Sequence, residues 1–460
     1  MKTLKAILIT GMWGVWLFLS SSPANALPSF ARQTGMSCAA CHTVFPELTT
    51  YGRTFKLNGY TSTNSDELKD GADDTGYRLE VNNTPPLAAM MQITDTWVKT
   101  PTSTTVDLGS DKNGNVEFPN QLSLFYAGRI STNMGAFAQI TYNASTGSLG
   151  MDNTDIRLAN RYQIAGTDLI WGFSANNNPT VQDVFNSVPA WNFPYANNHT
   201  GFGAPALTQI ESSGQKVAGL GTYAFWNQLV YLEFSGYRTA PQGFGGTPTP
   251  NYNAIQGVAP YWRLALTKDF DKNSIEIGAF GLDQHNVANT DALPVGPQDH
   301  FTDVALDGQY QYVDKDNAFT LKGDCIWENQ VEDYSSTAPV TSVSGGVTTI
   351  GAPAVANPSN TLRSLRLDGT YYFQRTIGAT VGYFSTTGSA DATLYAANAS
   401  TTPDTEDMVY ELNYVPWLNT KFGLQYTYFF KYNGSTDNYD GSGRHATDNN
   451  TLMASAWLMY

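Results

Sequence analysis

The chain has 460 residues, 40 acidic against 25 basic, a formal net charge of −15, and only 14% charged residues beside 10 Trp, 26 Tyr and 23 Phe. This acid excess excludes a nucleic-acid partner, since phosphate binding runs on basic surface, and a solvated, non-aggregating exterior accounts for most of it. Past residue 26 no apolar run reaches the ~18 residues of a membrane helix, yet the aromatic wealth, with a mean hydropathy of −0.29, suits alternating strands that hide a lipid-facing band in a polar average.

Lys2 and Lys5 precede an apolar run from Ala6 to Leu19 and the small-residue site Ala24-Asn25-Ala26, which is how a secretory signal peptide is built. Residues 1–26 are therefore expected to leave on export, with the mature chain starting at Leu27. No cysteine follows the cut, so a lipoprotein anchor is not indicated.

Next comes Cys38-Ala39-Ala40-Cys41-His42, the C-x-x-C-H pattern. Cys38 and Cys41 can form thioethers to the two vinyl groups of one haem, and His42 then brings its imidazole to the iron from one face. The export signal fits, because c-type attachment follows export. A dithiol redox pair and half a zinc site are the alternatives, although no second cysteine or histidine pair lies nearby to complete a zinc site. On the opposite face of the iron, Met90 and Met91 are the distal candidates, with apolar packing as their other reading. His199, His285, His300 and His445 fall in or near loops and are not expected to ligate haem.

Residues 27–86 are expected to form a small haem plug. Roughly 60 residues are too few to wrap a haem and build a separate core, so the cofactor must borrow cover from the remainder of the chain. Phe30, Phe45, Tyr51, Phe55 and Tyr60 are the expected aromatic packing.

From Leu87 to residue 460 the sequence breaks into runs of period two. Leu122, Leu124, Tyr126, Gly128 and Ile130 face Gln121, Ser123, Ala127 and Arg129; the same split recurs at 303–312, 364–373 and 422–432. These runs predict an all-β, antiparallel outer-membrane barrel of about 16 strands. Tight turns are expected at Thr132-Asn133, Phe225-Trp226-Asn227, Asp271-Lys272-Asn273, Asp314-Lys315-Asp316 and Gln374-Arg375, and long polar excursions near 176–213, 239–259, 331–359 and 433–448. Short periplasmic turns and long extracellular loops place both termini in the periplasm of a Gram-negative bacterium. The alternation from Leu452 to the terminal Tyr460 resembles the insertion signal of outer-membrane proteins. A barrel of this size keeps a lumen, which Arg129, Arg157, Arg161 and Arg366 with Asp155, Asp303, Asp307 and Asp368 would make charged. Cys325 shares the face of Leu321 and Trp327 and reads as a buried or lipid-facing thiol.

The segments Phe30-Ala31-Arg32-Gln33-Thr34-Gly35-Met36-Ser37-Cys38-Ala39-Ala40-Cys41-His42, Phe45-Pro46-Glu47-Leu48 and Tyr51-Gly52-Arg53-Thr54-Phe55-Lys56-Leu57-Asn58-Gly59-Tyr60 resemble the fused monohaem cytochrome-porin family of outer-membrane iron oxidases. The likeness is specific over about 30 residues and architectural over the barrel. It implies one covalent haem c on Cys38 and Cys41, with His42 as proximal ligand. It also implies an extracellular donor such as Fe(II), a periplasmic c-type cytochrome as acceptor, and an oxidoreductase of the Fe(II):cytochrome c type. Arg32, Arg53 and Lys56 would orient the plug or pair with haem propionates. The acid clusters Asp404, Glu406, Asp407 and Glu332, Asp333 could hold Fe(II) through oxygen ligands. Two other functions fit the same residues: a solute porin with an accessory haem peptide, and a haem-based sensor or binding protein.

Overall fold

The structure is a computed structural model that describes residues 28–62, 67–69, 80–82, 84–101, 115–143, 147–240, 254–287, 297–337, 339–344 and 347–460. The signal peptide of residues 1–26 lies outside the described residues.

Among the described residues sixteen strands build the barrel, with shorter strands at 67–69, 80–82, 254–255, 339–344 and 347–353 before and between them. The sixteen are β1 (Leu87–Val98), β2 (Asn115–Ser131), β3 (Met134–Asn143), β4 (Ser148–Ile164), β5 (Thr167–Asn176), β6 (Val217–Trp226), β7 (Val230–Thr239) and β8 (Ala259–Phe270). After them come β9 (Asn273–Val287), β10 (Asp299–Val313), β11 (Ala318–Glu332), β12 (Ser359–Phe373), β13 (Ile377–Gly388), β14 (Thr405–Trp417), β15 (Thr420–Lys431) and β16 (Thr451–Met459). Each pairs antiparallel with its chain neighbours, and β16 returns to β1 with Thr451 opposite Val98 and Met459 opposite Met90. The sheet is thereby closed, which removes the unpaired edges that an open sheet exposes. The closed antiparallel barrel agrees with the sequence reading, and its first strand runs from Leu87.

Alternation sets the two faces. Leu122, Leu124, Val304, Leu306, Leu367 and Leu424 are exposed on the outside, whereas Ser123, Asp303, Asp307, Asp368 and Gln425 are buried on the inside. An apolar exterior around a polar interior inverts the order of a water-soluble protein and is the build of a membrane-spanning barrel. Two aromatic rows border the apolar band, as anchors at a membrane interface do. Trp262 and Trp327 lie at one level through the register Trp262, Gly281, Val304, Trp327, while Tyr371, Phe373 and Tyr414 stand exposed toward the opposite end. Cys325 is half-buried on the outward face, in keeping with the sequence reading.

Connections differ sharply between the two ends. Tight turns join β2 to β3, β8 to β9, β10 to β11 and β12 to β13 as expected. The β6–β7 turn falls two residues later than expected, because Phe225 and Trp226 complete β6. Left-handed backbone at Asn227, Gln228, Gln374 and Arg375 makes primed turns whose twist matches the flanking strands, closed by the Leu229 amide donating to the Trp226 carbonyl and the Thr376 amide to that of Phe373.

The connection between β5 and β6 departs from its expected place as an outer polar excursion. Val181, Val184, Phe185 and Val188 within it are buried, and Phe185 packs with Tyr223, Tyr231 and Ala265 of the inner wall. Its apolar residues pack on the inner wall, so the loop folds into the lumen. Buried ion pairs fasten it there: Arg263 lies 3.2 Å from Asp183 of the loop and 2.8 Å from Asp307 of β10. Arg157, also inside, pairs with Asp155 at 2.7 Å. Arg161 differs from the expected lumen lining: it stands half exposed by the β4–β5 turn and pairs with Asp168 at 2.6 Å.

Candidate functional site

Residues 28–62 run inside the barrel as three short helices, α1 (Pro28–Thr34), α2 (Cys38–Cys41) and α3 (Thr50–Leu57). Helix α1 lies on β2. Ser29 Oγ and Gln33 Nε2 both donate to the Ala127 carbonyl, at 2.5 and 2.8 Å, and the Arg129 amide donates back to Gln33 Oε1. Only a glycine allows this approach, since a Cβ on Gly128 would sit 2.5 Å from the Gln33 amide and 2.6 Å from Pro86.

The C-x-x-C-H motif forms a single helical turn, closed by the His42 amide donating to the Cys38 carbonyl at 2.8 Å. Residues three apart on a helix share a face, so Cys38 and Cys41 point the same way. The N-cap of α3 grips this turn from behind. Thr49 Oγ1 donates to the Ala40 carbonyl at 2.6 Å, and the Thr49 amide to the Cys41 carbonyl at 2.9 Å. At Gly52 a Cβ would fall 2.2 Å from the Cys41 oxygen, so α3 can press on the motif only with glycine there.

His42 is oriented by a backbone partner. Its Nδ1 lies 3.3 Å from the Pro46 carbonyl oxygen. A carbonyl only accepts, so Nδ1 carries the proton and Nε2 keeps a free lone pair, the tautomer of a metal-ligating imidazole with its outer partner in place. Burial pushes the imidazole down to about 4, against the opposing pull of the Pro46 and Glu47 backbone. The ring is thus neutral and ligand-ready at neutral pH. Burial, with Cys38 alongside, pushes the Cys41 thiol up to about 11.

Cys38, Cys41 and His42 open onto a cavity of about 760 Å³ walled by Phe30, Phe45, Phe55, Tyr60, Phe137 and Trp191. A second cavity of about 530 Å³ adjoins it, sharing Cys38, His42 and Phe45 and reaching Trp457 and Met459. One turn with two thiols, a free Nε2 and an apolar wall fits a covalently held haem.

Barrel and N-terminal segment share one continuous cluster: Phe55 and Tyr60 pack with Ala88, Met90, Phe125, Phe137, Trp457 and Met459 from β1, β2, β3 and β16. Of the five expected aromatics, four line the larger cavity, whereas Tyr51 is exposed. Phe137 and Trp191 were not singled out in the sequence, the latter because its loop was expected outside.

Neither distal candidate lines that cavity. Met90 is buried within the surrounding cluster. Met91 is corrected: by alternation it is on the outward face of β1, opposite Leu458 of β16, and cannot turn to the motif. Met36 lines the larger cavity and Met459 the smaller.

The basic residues anchor the segment. Arg53 reaches the far wall, donating to Ser274 Oγ at 2.7 Å and to Gln309 and Gln311 at 2.5 and 3.0 Å. Lys56 Nζ donates to the Val181 and Asp183 carbonyls of the inward loop at 2.6 and 2.8 Å, and Arg32 donates to the Leu87 carbonyl. The acid clusters serve structure too: Asp404 pairs with Lys431 at 3.6 Å and Glu332 accepts from Asn360 at 2.7 Å.

No protein-family model matches the chain, and no curated protein matches it. Among solved structures it is similar to the outer-membrane channel DcaP of Acinetobacter baumannii, at 14% identity over 81% of this chain and 96% of that one, TM-score 0.44. It is also similar to OmpT of Vibrio cholerae in a loop-deleted form, at 11% identity over 81% and 98%, TM-score 0.43. Salmonella typhi OmpF in complex with daunomycin gives 12% identity over 85% and 100%, TM-score 0.43. Likeness at this level carries no inference about function. What the chain's own geometry defines is a membrane-spanning β-barrel of sixteen strands with a C-x-x-C-H turn inside its lumen.

Proposed function

We propose that the chain is an outer-membrane electron conduit of the fused cytochrome-porin kind. It takes electrons from an extracellular donor, Fe(II) foremost, and passes them to a periplasmic c-type cytochrome. One haem c is held by Cys38, Cys41 and His42. When bound, it supplies a one-electron iron couple in a protected site. The observation that carries this reading is His42, whose Nδ1 is committed to the Pro46 carbonyl beside two thiols on an apolar cavity.

The chain's own residues have three tasks. Cys38 and Cys41 fix position covalently. Thr49 and Arg375, whose Nη1 donates to the His42 carbonyl at 3.3 Å, hold the motif in register. Phe30, Phe55, Phe137 and Trp191 exclude water. Arg375, Thr420 and Met459, which border the site, belong to the end of the barrel with the short turns. That end is the periplasmic one in this reading, next to the acceptor. A lumen crossed by residues 28–62 and by the β5–β6 loop supports transfer of electrons over bulk solute flow.

A solute porin is the second reading. A cavity of about 1190 Å³, lined by Arg366, Asp407, Gln425 and Thr427 beside the inward loop, favours it.

Anoxic stopped-flow absorbance with Fe(II), on the detergent-solubilised protein, tests the proposal. Rapid haem reduction is expected. Haem that dithionite reduces but Fe(II) does not would count against Fe(II) as donor, and open-pore conductance in planar bilayers would then favour the porin.

A further inference from the structure

At the loop end of the barrel, three side chains outside the motif converge on the outer surface. His285 of β9 lies directly opposite His300 of β10, and Asp283 opposite Thr302. By alternation they share the outward face of Ile277, Val304 and Leu306, while Gln284 and Asp303 turn inward. The imidazoles stack with centroids 4.0 Å apart and planes 6° from parallel. Both present Nε2 to one carboxylate: His300 lies 2.8 Å from Asp283 Oδ2 and His285 3.7 Å from Asp283 Oδ1. The three potential ligand atoms lie within 4.8 Å of one another. Thr302 Oγ1 donates to Asp283 Oδ2 at 3.1 Å and steadies it from outside.

We propose that Asp283, His285 and His300 bind one divalent cation of the first transition row, such as Zn²⁺ or Co²⁺, at the barrel rim. Two imidazoles and a carboxylate suit the borderline cations and leave calcium and magnesium, which prefer oxygen alone, at a disadvantage. The spacing agrees. Ligands about 2.0–2.1 Å from a tetrahedral ion stand roughly 3.3 Å apart, between the two nitrogen-to-oxygen distances. Three protein ligands with His285 exposed leave room for water at the fourth position. The site lies beyond the row of Trp262 and Trp327 on the loop side, clear of the apolar band. It stands independently of any haem.

Calorimetric titration of Zn²⁺ into the full-length, detergent-solubilised protein tests this, with heat-modifiable gel migration as the check on folding. Wild type is expected to show a site of one ion per chain. The double variant His285→Ala/His300→Ala should weaken it about tenfold or more, and Asp283→Asn, which keeps both imidazoles and nearly the same shape, should also weaken it. His445→Ala, remote from the cluster, should leave the titration unchanged. Should the double variant not fold, Asp283→Asn decides alone. A wild type without a stoichiometric site, or a folded variant that keeps wild-type affinity, overturns the proposal.

Discussion

A single missing Cβ decides how closely α3 can press on the C-x-x-C-H turn. At Gly52 the obstructing atom is a backbone oxygen, Cys41 O, which cannot swing aside as a side chain can. Gly52→Val is therefore expected to displace the turn, at a cost of about 1–3 kcal/mol for overpacking. It should lower covalent haem content while the barrel still migrates as folded on a heat-modifiability gel. Asp391 is buried in the connection between β13 and β14. Burial alone would raise its carboxyl, but the backbone amides of Leu394, Ala356, Asn357 and Thr393 donate to it and hold it at about 2. Its folded value thus lies below the ordinary 3.8, so its contribution to stability is present above pH ~4 and disappears as pH falls toward 2. Hydrogen exchange at 355–358 and 391–396 should rise across that window in wild type, and should already be raised at neutral pH in Asp391→Ala.

At the scale of elements, residues 28–62 are held by polar anchors set into opposite walls. Tyr60 Oη donates to Asp155 Oδ2 at 2.8 Å on one side, and Arg53 reaches Ser274 and Gln309 on the other. Tyr60→Phe leaves a buried acceptor short of a partner and should cost about 1–3 kcal/mol. Limited proteolysis should then cut the segment faster, with the barrel fragment intact. These anchors also mark the limit of what the sequence discloses. Strands such as 303–312 and 364–373 are legible because one face meets lipid and the other the lumen, which writes a strict period of two. The motif is legible because its chemistry lies within five consecutive residues. The inward course of the β5–β6 loop is not legible: Val181, Val184 and Val188 carry no periodicity in a polar stretch, and their partners are far away in the chain. Trp191 was missed with the loop. Adjacent residues on a strand face opposite ways, so of Met90 and Met91 only Met90 looks inward.

At the scale of the whole molecule, closure of sixteen strands creates a lumen too wide for side chains alone to fill, and two stretches of chain occupy it. The barrel supplies the walls, the inward loop supplies Trp191, and the N-terminal segment supplies the thiols and the imidazole. We propose that this shared site holds one covalent haem. That is tested most directly by intact-mass and peptide-mass analysis, with pyridine haemochrome absorbance, of the protein purified from a host that attaches c-type haem. One haem per chain is expected, carried on a peptide containing both Cys38 and Cys41, and lost in Cys38→Ala/Cys41→Ala. A mature protein with both thiols free, oxidised to a disulfide or bound to zinc would contradict it.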